Sequence, residues 1–171
     1  RAIGIPLFLL ALPALAFAAT LAYAPVAVLL AVVTKTILIG TYRPIRAPAW
    51  GGFFVRNWVV QRAASLLPWA LLRSLGFQST VLRMLGARVG QSVHIDRGVD
   101  LDKGGWDLLE IGDDAAVGRD ATLCLVELAD GEVIVGPISI GARSTVDIRA
   151  TVSGGARLGQ DAFLTALSWL P

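Results

Sequence analysis

Read from Ile140, an aliphatic residue returns at every sixth position, as Ile140, Val146, Val152, Leu158 and Leu164. The residue four places after each is small: Ser144, Ala150, Ala156, Ala162 and Ser168. A period of six fits neither the 3.6-residue helix nor the two-residue alternation of an ordinary strand. It fits a parallel β-helix of triangular section, in which each hexad makes one short flat side. The aliphatic side chain fills the interior, and the second inward residue is small because neighbouring sides converge there. Each coil of such a stack buries its core only against the next. The same pattern begins earlier, in the hexads starting at Val89, Ile95, Ile111 and Val117. It breaks twice, at Lys103–Asp107 and at Glu127–Pro137, where Asp130-Gly131 reads as a turn. Loops that leave a rigid solenoid are the usual carriers of its function.

A solenoid does not account for the first half of the chain. Mean hydropathy is +0.66 and no charged residue occurs from Ala2 to Thr34. As one straight helix that run would measure about 50 Å against about 30 Å of hydrocarbon. The expectation is therefore a pair of transmembrane helices within residues 1–40. The first ends near Ala16 after a connection or kink at Pro13, and the second runs from about Ala18 to Ile39. Lys35, Arg43 and Arg46 follow directly, and no acidic residue precedes Asp96. By the positive-inside rule this side faces the cytoplasm. Residues 41–88 interleave Phe53, Phe54, Trp58 and Trp69 with Arg56, Arg62 and Arg73, the mixture expected of short interfacial helices. A nucleic-acid partner is excluded by the same spacing, because the basic residues alternate with large apolar ones beside a membrane span. Residues 89–171 form the β-helix domain. The start at Arg1 and the end within a repeat read as a fragment of a longer chain.

The run Leu82-Arg83-Met84-Leu85-Gly86-Ala87-Arg88-Val89-Gly90 is followed by Val93-His94-Ile95-Asp96, Asp107-Leu108-Leu109-Glu110-Ile111-Gly112-Asp113 and Gly136-Pro137-Ile138-Ser139-Ile140-Gly141-Ala142. In this order behind an apolar segment, these phrases resemble the membrane-embedded C-terminal region of nonribosomal peptide synthetases of the ε-poly-lysine synthetase type. The hexads by themselves resemble the wider left-handed β-helix acyltransferase-like superfamily. The resemblance implies a mixed fold, with transmembrane and interfacial helices followed by a left-handed parallel β-helix. It implies a location in the bacterial inner membrane and neighbouring tandem domains in the same chain. It also implies an upstream carrier whose phosphopantetheine presents an aminoacyl thioester for amide formation. No cofactor is expected within this segment itself. A membrane-anchored acetyl- or acyl-CoA transferase and a non-catalytic β-helix scaffold are the alternatives.

Amide formation from a thioester needs an amine relieved of its proton. The single imidazole is His94, which Asp96 or Asp100 is expected to orient as a general base. In the resembled family a histidine is expected near Leu125–Ala129, and here that stretch reads Leu125-Val126-Glu127-Leu128-Ala129. Asp100, Glu127, Asp130 and Glu132 are the candidates for binding a cationic substrate. A lone histidine cannot build a His-rich zinc centre, so no metal site is expected. The single Cys124 excludes an internal disulfide and reads as a small buried residue rather than a nucleophile.

Overall fold

The computed structural model describes the backbone from residue 4 to residue 171 and the side chains from residue 11 onward. Helix α1 runs unbroken over Gly4–Leu38. This corrects the expected helix pair to one helix. The reason is visible between the two prolines: Ala14 to Ala19 holds only Ala, Leu and Phe, with no turn-forming residue, and Ala and Leu favour helix. Pro13 and Pro25 are absorbed within α1. Among the described residues α1 is the one helix long and apolar enough to cross a membrane, over Ala11–Leu38. Residues 1–3, where the expected first span would begin, lie outside the described residues.

The second half of α1 presents Ala24, Ala27, Val28, Ala31 and Lys35 at helical spacing, all buried. Three short helices cover that face: α2 over Gly52–Ala64, α3 over Trp69–Ser74 and α4 over Gln78–Met84. The last two stop in the same way. Phe77 N–H donates to Leu72 O (2.8 Å) and Gly76 N–H to Arg73 O (3.0 Å); Ala87 N–H donates to Leu82 O (2.9 Å) and Gly86 N–H to Arg83 O (3.0 Å). These are Schellman motifs, and Gly76 and Gly86 supply the left-handed residue, with φ of 75° and 103°.

Three parallel sheets follow. One contains β2 (Arg88–Val89), β4 (Leu109–Ile111), β9 (Ile138–Ile140) and β12 (Arg157–Leu158). A second contains β3 (His94–Ile95), β5 (Ala116–Val117), β10 (Thr145–Val146) and β13 (Phe163–Leu164). The third contains β6 (Thr122–Cys124), β11 (Thr151–Ser153) and β14 (Trp169–Leu170). From β9 onward the chain visits the three sheets in turn and returns to the first. The aliphatic hexad positions align across strands, as in Val89↔Ile111↔Ile140 and Val117↔Val146↔Leu164. Val117, Val146 and Val152 have no exposed surface, and Ala121, Ser144 and Ala150 at the small positions are equally enclosed. The fourth residue of these hexads turns the chain: Ser92, Asp114, Asp120, Arg143, Arg149, Asp161 and Leu167 all have φ between 54° and 60°. Asp tolerates that conformation, whereas Arg and Leu adopt it at a cost that the stacked strands offset.

The second interruption of the period is a hairpin. Strands β7 (Val126–Ala129) and β8 (Glu132–Val135) pair antiparallel around Asp130-Gly131, both at positive φ. A strand from just after α1, β1 (Ile45–Pro48), completes this small sheet by pairing with β8. One apolar core runs without interruption from Ala27 through Leu82 and Trp106 to Ala156.

Candidate functional site

The loop of the first interruption is fixed by a buried polar chain. Lys35 Nζ donates to Asp107 Oδ1 at 2.8 Å, and the other carboxylate oxygen accepts the Tyr42 N–H at 2.9 Å. The Tyr42 hydroxyl donates to Asn57 Oδ1 at 2.7 Å. Burial, reinforced by the Asp107 charge, pushes the Tyr42 phenol well above its usual range, so it stays a donor. At Gly104 a Cβ would stand 2.6 Å from the Tyr42 hydroxyl oxygen, so the loop passes where only glycine fits. Trp106 completes the anchor, donating Nε1–H to Leu101 O at 2.8 Å.

Held in this way, the loop faces α2. Phe54, Asn57, Trp58, Gln61, Arg62 and Ser65 recur at helical spacing along one side of α2 and its C-cap, and they line two hollows of about 220 and 290 Å³ that share Gln61 and Lys103. The opposite wall consists of Asp100, Asp102 and Lys103 with Val126, Glu127, Leu128 and Val133 of the hairpin. The groove is thus aromatic and apolar at one end and charged at the other. Gln61 Nε2–H donates to Lys103 O at 2.8 Å and pins the centre. Arg62 lies over the Trp58 ring, 5.3 Å from its centroid.

Two carboxyls, Asp100 and Asp102, meet at the charged end, and Glu127 lines the adjoining hollow. Asp100 and Asp102 share a side-chain hydrogen bond, and Lys103 Nζ lies 3.3 Å from Asp100 Oδ2. Burial opposes ionisation of Asp100, but the hydrogen bond from Asp102 and the Lys103 charge prevail and hold it below the usual carboxylate range. Its partner keeps the proton: the hydrogen bond to Asp100, then burial, push Asp102 up to about 6. Cys124 stands beside them. Burial, followed by the charge of Glu127, pushes its thiol up to about 11, so it is protonated near neutrality and is not a thiolate nucleophile.

Asp102 yields a pH prediction. The folded chain holds the Asp102 proton to about pH 6 whereas the unfolded chain loses it near 3.8, so between those values the folded state binds more protons. Its contribution to stability therefore falls as pH rises through that window. As pH rises through about 6 the folded groove itself gains negative charge and binds cations more tightly. Asp102→Asn removes both trends, which unfolding curves from about pH 4 to 7 and titration with a simple diamine from about pH 5 to 7 will show. A pH dependence that survives the substitution would assign the trends to another group.

The sequence-derived candidates separate into three places. Asp100 and Glu127 come together in the groove. Asp130 lies at the exposed hairpin turn and Glu132 at the exposed start of β8, away from the groove. His94 and Asp96 flank the inward Ile95 and project from the outer side of their sheet, with His94 exposed. Asp96 accepts the Arg97 N–H at 2.6 Å, which with Arg119 (4.0 Å) holds its carboxyl below the usual range. Trp58, Gln61, Asp102 and Lys103 were missed as site residues. The stripe from Phe54 to Ser65 was the available signal, since its polar members have no place on a face buried in a core.

No family model matches the chain, and no solved structure matches it significantly. Among curated proteins it is 27% identical over 139 residues to the Delta-poly-L-ornithine synthetase of Acinetobacter baumannii (strain AB307-0294). The match covers 81% of this chain and 10% of that protein, so the chain spans about a tenth of its relative's length. The resemblance read from the sequence thus stands at the level of amino acid polymer synthetases, without singling out the ε-poly-lysine type. The chain is a distant relative of part of such a synthetase.

Proposed function

We propose that this chain is a membrane-anchored, amide-forming segment of an amino acid polymer synthetase. The observation that carries the reading is the similarity to the Delta-poly-L-ornithine synthetase over 81% of the chain. In this reading the three parallel sheets are the sides of a left-handed parallel β-helix occupying residues 89–171. Helix α1 spans the bacterial inner membrane, and the basic residues after it keep the coil on the cytoplasmic side. The donor is an aminoacyl thioester on the phosphopantetheine of an upstream carrier, and neighbouring domains of the same chain complete the assembly.

The acceptor is the amine of a cationic amino acid or growing polymer, held in the groove by Asp100, Asp102 and Glu127. Its ammonium yields a proton to a carboxylate of this group. The free amine then attacks the thioester carbonyl, the C–N bond forms and the C–S bond breaks. The departing thiolate leaves as the thiol with the proton that the nitrogen gives up on becoming the amide. His94 acts only if a neighbouring domain brings substrate to its open face.

The parent synthetase carrying Glu127→Gln tests the groove. Losing one charge-assisted contact to an ammonium costs about 1.5–3 kcal/mol, which is about tenfold to a hundredfold in kcat/KM for the amine. Polymer formation unchanged by this substitution at limiting amine would remove the groove from the reaction. If His94→Ala is silent as well, a purely supporting role for the coil remains.

A further inference from the structure

A second, apolar groove of about 540 Å³ lies between α1 and the pair α3–α4. Its walls are Ala24, Pro25 and Val28 of α1, Leu72 of α3, and Val81 and Met84 of α4, among others. It is the size of a small-molecule site and is almost free of polar surface. Its depth follows from α1. A hydrocarbon span takes about 20 residues, and any such window placed within Ala11–Leu38 contains residues 19 to 30. The α1 wall of the groove therefore lies inside the hydrocarbon wherever that window is set.

The free side of α1 agrees with this depth, since Val26, Leu30, Val33 and Ile37 are all exposed, Ile37 by 75%. The charge of Lys35 does not interrupt the band, because it is buried against Asp107. Helices α3 and α4 form the other wall and expose Leu75, Phe77 and Met84 along it. An open apolar groove within the hydrocarbon is bathed in acyl chains. Arg73, in the last turn of α3 next to the lining Leu72, has no carboxylate partner among the described residues. The entire stretch before Asp96 lacks an acidic residue. That charge balance selects an anionic headgroup.

We propose that the groove between α1 and α3–α4 is a binding site for one acyl chain of an anionic phospholipid, with its phosphate beside Arg73. The site rests on the reading of α1 as a membrane span. The test places the full chain in vesicles containing phosphatidylglycerol with a photoactivatable diazirine on its acyl chain, and maps the adducts by peptide mass spectrometry. Val28 and Val81 are less than a tenth exposed and line the groove, so only a chain that has entered the groove reaches them. Adducts are expected at both residues, and are lost in Ala24→Phe, which fills the groove. Met84→Trp at the exposed rim is expected to have the same effect, which covers the case that Ala24→Phe does not fold. Adducts at Leu12 and Ile37 persist in both variants.

Labelling confined to such outer residues would reduce the lipid to a non-specific annulus and overturn the site. So would Val81 adducts unchanged by both substitutions, or a Val81 crosslink to a second copy of the chain. A complete absence of adducts, Leu12 and Ile37 included, would remove the membrane span itself, and the site with it.

Discussion

Lys35→Met lowers the stability of this protein by about 3–5 kcal/mol, the loss typical of removing one partner from a buried ion pair. Lys35 and Asp107 retain only 9% and 12% of their side-chain exposure, and they join the end of α1 to the loop that walls the charged groove. Without the ammonium, Asp107 keeps the Tyr42 N–H but loses the cation that compensates its burial. For a chain of this size the melting temperature drops on the order of 10 °C. The double substitution Lys35→Met, Asp107→Leu is expected to restore most of the loss, because two apolar groups can replace a buried pair at little cost. Thermal unfolding of the detergent-solubilised variants checks both. A single variant as stable as the parent chain would show that α1 and the coil are held together by apolar packing alone.

Trp106→Ala has a comparable effect, about 3–5 kcal/mol, for a different reason. The indole is 1% exposed and meets the Tyr42 ring edge-on, with centroids 6.1 Å apart and planes at 81°. Its removal leaves a cavity where α1, α2 and the first coil converge. Trp106→Phe keeps most of that volume but leaves the Leu101 carbonyl without its donor, which costs about 1–3 kcal/mol. Equilibrium unfolding that ranks Phe clearly above Ala supports cavity formation as the dominant effect. Equal losses would place the cost in the hydrogen bond instead.

Several features were readable because their causes are local. The inward aliphatic residues from Val89 to Leu170, the small residues beside them and the Asp130-Gly131 turn each follow from constraints spanning a few residues. The helix pair was misjudged because the length of the run and Pro13 were weighed above the residues between the prolines. The helix-forming run between Pro13 and Pro25 outweighs the breaks that two prolines suggest. The candidate site was partly readable: Asp100 and Glu127 were recognised as acidic loop residues, while Asp102 and the α2 stripe were not.

What the sequence by itself determined is the inward aliphatic positions of the parallel strands, the apolar stretch before them and the division of charge at Asp96, since period and composition act along the chain. Only the tertiary structure decided that Lys35 meets Asp107, that β1 joins the hairpin at β8, and that Gln61 faces Lys103 across a groove. Those partners lie tens of residues apart. Their meeting depends on how α1 and α2 dock against the coil, which no local pattern encodes.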